Sequence, residues 1–387
     1  HKVIAILANT NNDRIKVWRG VVSDSDFLSN HIKLIPMNDY VMLFTPNINN
    51  KEMVMKNTYI LNEKLHKHGI SEKLRSQFVG TCLLALKNGL VYDSPISSSQ
   101  IRTGIKDILE KLLNNNIDKA DKLTLLNNRV LKNQDVETLD EAAFRDILNF
   151  IEKNILPFIN DKSTAGQDLL NLFFVTFNKY VGKADKNQAF TPDHITDFMT
   201  KITKVDKRSI ILDPCCGSGS FLVRAMTQAL DDCSTSEEQE IVKKEHIFGI
   251  EYDKNVYGLA TTNMLIHSDG NSNLRNDNCF NLTQYIIDAN PDVILMNPPY
   301  NAQKKFMCEE YTKTWKANQK EDPSKGLYFV KYLSDIINKN YRKPVTLAVL
   351  LPVACAIGGP TEIKNIKNEL LQENTLEAVF TLPNEIF

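Results

Sequence analysis

Short apolar runs alternate with amphipathic segments along the second half of the chain. Four runs have the length and apolar content of buried β-strands, and they lie at 209–212, Ile247–Ile250, Val293–Met296 and 346–350. Apolar residues in the segments between them recur at helical spacing, and this alternation is typical of a parallel sheet covered by helices. We therefore predict an α/β domain with a mostly parallel, doubly wound sheet over residues 184–387.

Two further segments of this region are less regular. A weaker apolar run predicts an additional strand at 376–381. The stretch 231–245 is charged and rich in Ser and Thr, which predicts an exposed connection between a helix and the next strand.

The middle of the chain, residues 49–183, has the pattern of packed helices. Apolar residues recur three and four positions apart over 101–113 and again over 144–151. The segment 169–180 is apolar nearly all round, which favours a place in a core or at a domain interface. We predict a helical domain here.

The first 48 residues form a β-rich segment by their composition. Runs at 3–7 and 15–18 are strand-like, an Asn-rich turn separates them, and 41–44 predicts a further strand. This segment is either a small β appendage or the remnant of a preceding domain, for instance a nuclease. The chain starts at His1 and ends in an apolar residue, so we expect it to be a fragment of a longer protein.

Composition narrows the class of protein. At 387 residues and 44.0 kDa the chain has room for two or three domains, and no apolar run is long enough to span a bilayer. The seven Cys residues, an odd number without Cys-x-x-Cys spacing, favour a reducing compartment, and no His or Cys cluster has the spacing of a metal site. We expect a cytoplasmic protein without membrane contact and without a metal.

A glycine-rich turn, 213–219, lies between the first predicted strand of the sheet and a helix. Its sequence is Asp-Pro-Cys-Cys-Gly-Ser-Gly, and two glycines let backbone approach a ligand above a helix amino terminus. The turn has neither the Lys of a phosphate-binding P-loop nor the spacing of a dinucleotide fingerprint. Asp213 suits a ligand that carries an ammonium group. The alternative is a strand–helix turn that binds nothing.

Acidic and aromatic residues follow the next strands. Glu251 lies at the tip of the second strand, where doubly wound folds hold ribose hydroxyls, and Tyr252 beside it could pack on an adenine ring. Further along, Asp277 could accept a hydrogen bond from an adenine amine, although Asp- and Asn-rich clusters are also common in plain turns.

The tetrapeptide Asn297-Pro298-Pro299-Tyr300 closes the apolar run Val293–Met296. The side-chain carbonyl of Asn297 and the backbone carbonyl of Pro298 could accept the two hydrogens of a planar exocyclic amine. This would draw its lone pair out of conjugation. The prolines fix φ, so the carbonyls need no reorganisation, and Tyr300 offers a face for stacking. The alternative is a strand that ends in a Pro-Pro turn.

The order of these motifs resembles that of the S-adenosylmethionine-dependent amino-methyltransferases that modify adenine in DNA. Phe190-Thr191-Pro192 is similar to the additional cofactor-contacting element of the group in which cofactor motifs precede the catalytic one. With a helical domain upstream, the order resembles the modification subunit of type I restriction-modification systems and the methylase part of fused restriction-modification enzymes. The resemblance implies a Rossmann-like methyltransferase domain.

The resemblance also assigns roles to individual residues. The tetrapeptide would hold a flipped adenine, and two departures are Tyr300, where many such subunits carry Phe, and the lack of a Gly before Asp277. The residues that would hold S-adenosylmethionine are Phe190, Thr191, Pro192, Asp213, Pro214, Cys216, Gly217, Ser218, Gly219, Phe221, Glu251, Tyr252 and Asp277.

The implied partners are double-stranded DNA and other subunits. The net charge of −1 and pI of 6.7 indicate that phosphate contacts are local or supplied by a partner. That partner would be a specificity subunit, with a restriction subunit in some systems, or a C-terminal recognition domain. The segment 302–326 predicts either a DNA-facing loop or a solvated helix. Its candidate DNA contacts are Lys304, Lys305, Lys313, Trp315 and Lys316.

Two other functions remain open from the sequence. The same tetrapeptide could act on another planar amine, such as a glutamine side chain in a translation factor or a guanine amine in RNA. A non-catalytic module that binds a cofactor or a partner belongs to a different class, and the intact Asn297 and glycine turn argue against it.

Overall fold

The computed structural model describes the chain in nine stretches. These are residues 4–8, 15–19, 29–31, 51–93, 95–113, 117–158, 191–267, 273–313 and 315–383. The predicted boundaries between residues 48 and 49 and between 183 and 184 lie outside the described residues, as does the apolar segment 169–180.

Three short strands near the start pair in an antiparallel sheet. They are β1 (Ile4–Ala8), β2 (Ile15–Arg19) and β3 (Ser29–His31), with Ile4 opposite Arg19 and Ile15 opposite His31. The first two overlap the predicted strands, and the predicted strand at 41–44 lies outside the described residues.

Helices occupy the stretch from residue 51 to residue 158. Their bounds are α1 (Lys51–Lys67), α2 (Glu72–Lys87), α3 (Ser98–Leu113), α4 (Ile117–Leu126), a π-helical turn (Asn127–Leu131), α5 (Gln134–Glu137), α6 (Glu141–Asn154) and a 3₁₀ turn (Leu156–Phe158). The apolar stripes predicted at 101–113 and 144–151 are the buried faces of α3 and α6. Phe78 of α2 and Phe144 of α6 pack with ring centroids 5.7 Å apart in the core between these helices.

Strands and helices alternate from residue 191 to residue 373. The strands are β4 (Ile211–Asp213), β5 (Ile247–Ile250), β6 (Asn273–Arg275), β7 (Val293–Met296) and β8 (Thr346–Val349). The helices are α7 (Asp193–Ile202), α8 (Ser220–Asp232), α9 (Ser236–Glu245), α10 (Lys254–Ile266), α11 (Thr283–Ala289), α12 (Glu309–Thr312), α13 (Leu327–Asn340), α14 (Ala354–Ile357) and α15 (Thr361–Glu373).

The five strands of this part of the chain form one sheet in the order β6-β5-β4-β7-β8, and every pair is parallel. The predicted fold class, a doubly wound α/β domain of the Rossmann-like type, is confirmed. Because β4 lies between β5 and β7 and all three are parallel, the loops that follow them lie side by side along the edge of the sheet formed by the carboxyl ends of its strands. That edge is the place where open parallel sheets bind ligands.

Alternate residues of the central strands enter two separate cores. Val293 and Leu295 of β7 pack with α7, α8 and α10 on one face, while Ile294 and Met296 pack with α11, α13 and α15 on the other. Both faces are apolar because both are covered by helices, which explains the unbroken apolar runs in the sequence.

Two expectations need correction, and one strand was not predicted. The residues 376–381 form no strand; they are exposed, and Phe380 and Phe198 of α7 pack edge to face with ring centroids 5.0 Å apart. The stretch 231–245 is not only a connection, since it contains α9, whose Val242 is fully buried. β6 was not predicted, because its three residues include a single apolar one, Leu274.

The helical part packs on the sheet part through α10. Leu265 and Ile266 of α10 belong to the core of the helical part. Gln77 of α2 donates to the backbone carbonyl of Asn255 at 2.5 Å, and Lys87 donates to that of Ile266 at 3.0 Å. Among the described residues, no helix combines the length and apolarity needed to cross a bilayer.

Candidate active site

The glycine turn after β4 is shaped by two left-handed residues. Gly217 has a φ of +55° and Gly219 a φ of +80°, a region that side chains with a Cβ rarely adopt. A Cβ placed on Gly217 would meet nothing within 4 Å, so this side of the turn is open. The amide of Cys216 donates to the carbonyl of Ile250 at 2.9 Å, which fastens the turn to the end of β5.

Helix α10 supports the turn from below. The side-chain amide of Asn263, which is buried, donates to the carbonyl of Ser218 at 3.1 Å, and Gly219 lies against Ala260 and Met264. The hydroxyls of Ser218 and Ser220 are 3.0 Å apart at the start of α8. Sequence reasoning missed Asn263, because a lone Asn inside a helical pattern gives no signal of its own.

Not every residue assigned to the cofactor by resemblance lines the open side. Pro214 is buried, and Cys216 and Phe221 lie in the core between the sheet and its helices. A Cβ on Gly249 of β5 would lie 2.6 Å from side-chain methyls of Leu222 and Leu274 and 3.3 Å from the Sγ of Cys216, so the packing behind the turn leaves room only for glycine. These three residues shape the turn from behind.

Two carboxylates face the turn. Asp213 is buried; its Oδ1 accepts from the amide of Cys215 at 3.0 Å, and its Oδ2 has no hydrogen-bond partner among the described residues. Burial, together with the nearby charge of Glu251, raises the pKa of Asp213 well above its ordinary value. A buried carboxylate oxygen without a partner is costly unless a ligand supplies a donor or a cation.

Glu251 follows β5 and binds the turn directly. One oxygen accepts from the amide of Gly217 at 3.0 Å and the other from the amide of Asp253 at 2.7 Å. Burial raises the pKa of Glu251 to about 7, and the two amides act in the opposite direction. The pair of acids therefore fits a ligand that presents an ammonium group to Asp213 and hydroxyl groups to Glu251.

The loops after β5 and β6 are held together by Asn276, whose side chain donates to the carbonyls of Glu251 at 2.8 Å and Tyr252 at 3.0 Å. Asp277 is exposed, and its Oδ1 accepts from the amide of Asn278 at 2.6 Å and the side chain of Asn281 at 3.0 Å. It stabilises a turn in this structure.

The exposed ring of Tyr252 packs on Phe306, with centroids 4.7 Å apart. The carbonyl of Phe306 accepts from the side chain of Asn278 at 2.6 Å. Sequence reasoning did not place Phe306 beside Tyr252. Its position after the tetrapeptide, in a lysine-rich stretch, suggested contact with DNA instead.

The tetrapeptide follows the buried strand β7, and both ends of the Asn297 side-chain amide are hydrogen-bonded. The amide nitrogen of Asn297 donates to the hydroxyl of Thr191 at 3.0 Å, and its amide oxygen accepts from the hydroxyl of Tyr300 at 2.7 Å. Burial raises the pKa of Tyr300 to about 12, so this hydroxyl stays a neutral donor. Pro298 is buried and Pro299 is exposed.

The turn 322–326, at the end of the lysine-rich segment 302–326, supports Pro298. Gly326, with a φ of +99°, packs so closely that a Cβ there would be 3.0 Å from the Pro298 ring. Asp322 is fully buried and accepts from the amides of Ser324 and Gly326, each at 2.8 Å. Sequence reasoning missed this support, although Asp-Pro-Ser-Lys-Gly is a turn composition that could have indicated it.

Thr191 lies just before α7 and contacts the tetrapeptide. Pro192 caps the amino terminus of α7, and Arg224 of α8 pairs with Asp193 at 3.4 Å and with Asp197 at 3.6 Å. Phe190 lies outside the described residues. Of the three residues assigned to the additional cofactor element, Thr191 is thus the one whose side chain contacts Asn297.

The segment after the tetrapeptide has an exposed and a buried side. Lys304, Lys305, Lys313 and Lys316 are exposed. Trp315 is 8% exposed and packs near Tyr328, with centroids 6.3 Å apart. The expected DNA contact of Trp315 is not supported, because a ring in the core cannot stack on a base.

The parallel sheet, the glycine turn with two acids and the tetrapeptide at the same edge define a Rossmann-like domain with a site for a nucleoside-type cofactor. The chain belongs to the N-6 DNA Methylase family, whose model matches residues 167–387.

Two curated relatives share this region. The chain is 29% identical over 274 residues to the Type II restriction enzyme and methyltransferase RM.BcgI of Heyndrickxia coagulans, a match that covers 70% of this chain and 40% of that protein. It is 25% identical over 259 residues to the Type I restriction enzyme EcoEI methylase subunit of Escherichia coli, covering 64% of this chain and 51% of the subunit. The chain thus spans about half or less of the length of these relatives.

Solved structures support the same fold. A modification subunit assigned to a type I restriction enzyme of Vibrio vulnificus superposes with a TM-score of 0.59 at 18% identity, covering 84% of this chain and 76% of that one. A chain from a study of complex assembly in the type I R-M system gives a TM-score of 0.57 at 14% identity, covering 83% of this chain and 68% of that one. At these identities the likeness concerns the fold.

Proposed function

We propose that the chain transfers a methyl group from S-adenosylmethionine to the exocyclic amine of adenine in DNA, as the modification component of a restriction-modification system. The observation that carries the proposal is the placement of the Asn297 amide at the end of β7, one strand away from the glycine turn and Asp213 at the end of β4. A methyl donor and an amine acceptor must meet at one edge of the sheet, and these two loops share that edge.

The cofactor would be held by the groups that the turn leaves open. Asp213 Oδ2 would accept from the cofactor ammonium, and Glu251 would accept from the ribose hydroxyls while its bonds to the Gly217 and Asp253 amides persist. The exposed ring of Tyr252 would pack on the adenine of the cofactor. When bound, S-adenosylmethionine supplies an electrophilic methyl group on a sulfonium centre.

The target amine would be held by Asn297 and Pro298. The amide oxygen of Asn297 and the backbone carbonyl of Pro298 accept its two hydrogens, and this polarisation makes the amine lone pair available for in-line attack. The nitrogen would gain the methyl carbon as the bond between that carbon and the sulfonium sulfur breaks. The bonding pair would stay on sulfur as a thioether, and one amine proton would pass to solvent. Rate enhancement comes from alignment and from fixed carbonyl dipoles rather than from a strong base.

The target adenine would leave the duplex to reach this pocket, at a cost of about a few kcal/mol. Tyr300, beside Asn297, would turn so that the face of its ring stacks on the flipped base. Before that, its hydroxyl satisfies the amide oxygen of Asn297 at 2.7 Å. The base amine therefore takes over an acceptor that the protein already keeps hydrogen-bonded.

Contacts to the phosphate backbone would come from Lys304, Lys305, Lys313 and Lys316, which are exposed after the tetrapeptide. With a net charge of −1, the chain alone would bind DNA weakly, and base recognition would come from a partner. That partner is a specificity subunit or a C-terminal recognition domain, with restriction activity in a further subunit or domain, and the assembly acts in the cytoplasm.

The test is transfer of labelled methyl from S-adenosylmethionine to three substrates: unmodified duplex DNA, RNA and a protein extract. We expect label on adenine in DNA, strengthened by the products of neighbouring genes. Label on a protein glutamine or on guanine in RNA would contradict the DNA assignment. Cofactor binding with no transfer to any substrate, with the neighbouring products present, would indicate a binding module.

A further inference from the structure

Thr191 lies where it can control the orientation of the Asn297 side chain. Thr191 is buried, and its hydroxyl oxygen accepts from the side-chain amide nitrogen of Asn297 at 3.0 Å. By resemblance Thr191 was expected to contact the cofactor. The hydrogen bond observed in this structure is instead with the tetrapeptide, more than a hundred residues further along the chain.

The orientation of the Asn297 amide decides whether the site can work. An amide has an acceptor oxygen on one side and a donor nitrogen on the other, and rotation by half a turn exchanges them with little change in shape. With the oxygen toward the target, the amine finds an acceptor. With the nitrogen there, two donors face each other and the amine is repelled.

Thr191 and Tyr300 bond the two ends of this amide. The nitrogen donates to Thr191 and the oxygen accepts from Tyr300, on the opposite side. Tyr300 is expected to turn toward the target base, which removes its hydroxyl from the amide oxygen. Thr191 then remains as the hydrogen-bond partner of the amide. Because a threonine hydroxyl can donate as well as accept, this bond fixes the position of the amide plane, and the target amine, which needs an acceptor, selects the orientation with the oxygen toward it.

The position of Thr191 is itself fixed by packed elements. Pro192 follows it and caps α7, the hydroxyl of Thr196 donates to the carbonyl of Asp193 at 2.8 Å, and Arg224 pairs α7 with α8. Helix α8 begins directly after the glycine turn. The same rigid pair of helices therefore sets the geometry of the cofactor turn and of the Thr191 hydroxyl.

We propose that Thr191 is a positioning residue: it holds the plane of the Asn297 amide in place beside the target amine, and it acts on the rate of methyl transfer through Asn297. This rests on the proposed function, because it assumes that Asn297 accepts from an amine. It assigns to Thr191 a role in the catalytic half of the site.

The test compares three variants of the full chain. Thr191→Val keeps the shape and removes the hydroxyl, Thr191→Ser keeps the hydroxyl, and Thr200→Val is the matched control. Thr200 is a buried threonine of α7, the helix that Thr191 precedes, and its hydroxyl donates within that helix to the carbonyl of Thr196 at 2.7 Å. The measurements are the dissociation constant for S-adenosylmethionine by calorimetry and the single-turnover rate at saturating cofactor and DNA.

We expect Thr191→Val to lower the single-turnover rate about tenfold, as loss of one orienting hydrogen bond would, with cofactor affinity unchanged. Thr191→Ser should restore a rate within about threefold of the parent protein, and Thr200→Val should change neither quantity. A weakened cofactor affinity in Thr191→Val with an unchanged rate at saturation would overturn the proposal. An equal loss of rate in Thr200→Val would do so as well.

Failure of the proposed function would look different. If the parent chain labels RNA or protein rather than DNA, the DNA assignment fails, and the three variants are compared on the substrate that accepts the label. If nothing accepts the label, the proposed function fails without reference to Thr191. The positioning role alone fails when the parent chain labels DNA and Thr191→Val binds the cofactor more weakly at an unchanged saturated rate.

Discussion

At the scale of single residues, Asp213 lowers the stability of the free protein and should strengthen the binding of a positively charged ligand. Its Oδ2 is buried without a hydrogen-bond partner among the described residues, and its pKa is raised by burial and by Glu251. A group in this state destabilises the free protein and becomes favourable when a cation arrives.

Asp213→Asn should therefore have opposite effects on stability and on affinity. Removal of the buried charge is expected to raise the melting temperature of the free protein. Loss of the pairing with an ammonium group should weaken S-adenosylmethionine binding by tenfold or more, about 1.4 kcal/mol. The control is Asp140→Asn at the amino-terminal cap of α6 in the helical part, where Asn caps as well as Asp. A cofactor affinity unaffected by Asp213→Asn would remove Asp213 from the cofactor site.

Glu251 predicts a pH dependence of cofactor binding. Its pKa in the folded protein is about 7, above its ordinary value of 4.5, so the folded chain holds this proton more tightly than the unfolded chain does. Ionisation of Glu251 therefore costs folding free energy as the pH rises from 4.5 through about 7. The ionised form is the one that accepts from two hydroxyls, so cofactor affinity should rise over the same range and level off above it.

The measurement is calorimetric titration with S-adenosylmethionine between about pH 6 and about pH 8. The parent protein should bind several-fold more tightly at the upper end, and Glu251→Gln should bind more weakly with a flatter profile. A slope that survives in Glu251→Gln would be assigned to Asp213, whose pKa is also raised by burial. An identical slope in both proteins would show that Glu251 is not the titrating group.

At the scale of elements, the turn that ends in Gly326 holds the tetrapeptide from behind. Gly326→Ala places a Cβ 3.0 Å from both the Pro298 ring and a methyl of Leu351, at a φ of +99°. Gly89→Ala is a matched control, because Gly89 has a φ of +82° and open space around its Cα.

Both glycine variants should lose about 1–2 kcal/mol of unfolding free energy from the left-handed backbone alone. Only Gly326→Ala should also lower the methyl-transfer rate at saturating substrates, because only there must Pro298 move. Denaturant unfolding and single-turnover rates separate the two effects. Equal rates in the two variants would show that the position of Pro298 does not matter.

The sequence predicted these elements unevenly, for physical reasons. Long apolar runs such as Val293–Met296 marked strands buried on both faces, and the glycine turn and tetrapeptide were visible because few other folds need those residues. β6 was invisible because its single apolar residue, Leu274, gives no periodicity. The expected strand at 376–381 has the right composition, but strand formation needs a partner that a local pattern does not provide.

The candidate site shows the same limit. Residue type and spacing indicated Asn297, Asp213 and Glu251, whereas the hydrogen bond of Thr191 joins segments far apart in the chain. The side-chain bonds of Asp322 are local to its turn, and what the composition did not show is that this turn packs on Pro298. Trp315 was misjudged because an aromatic among lysines has the same composition whether it faces DNA or the core.

At the scale of the whole molecule, exposed positive charge is concentrated in one segment, although the chain as a whole is nearly neutral. The net charge is −1, yet Lys304, Lys305, Lys313 and Lys316 are exposed in one segment that follows the tetrapeptide. We expect weak DNA binding by this chain, with a steep dependence on salt that arises from this segment.

Replacement of these four lysines by Gln should lower the slope of log affinity against log salt by up to about 3.6, since each lost phosphate contact removes about 0.9. The control is the pair Lys243→Gln and Lys244→Gln, which lies near the end of α9, just before the amino end of β5 and so at the opposite edge of the sheet. Fluorescence anisotropy over a salt series gives the slopes. A slope that falls equally in the control would assign the contacts elsewhere.

The central claim is that Asn297 directs an adenine amine to the methyl group of S-adenosylmethionine. Mass spectrometry of duplex DNA incubated with isotopically labelled cofactor tests it, with Asn297→Ala as the variant and calorimetry to confirm that the variant still binds the cofactor. We predict N6-methyladenine with the parent chain and its partners, and loss of at least about a thousandfold in rate with Asn297→Ala. Near-parental methylation by the variant, or label on any atom other than the adenine amine, would contradict the claim.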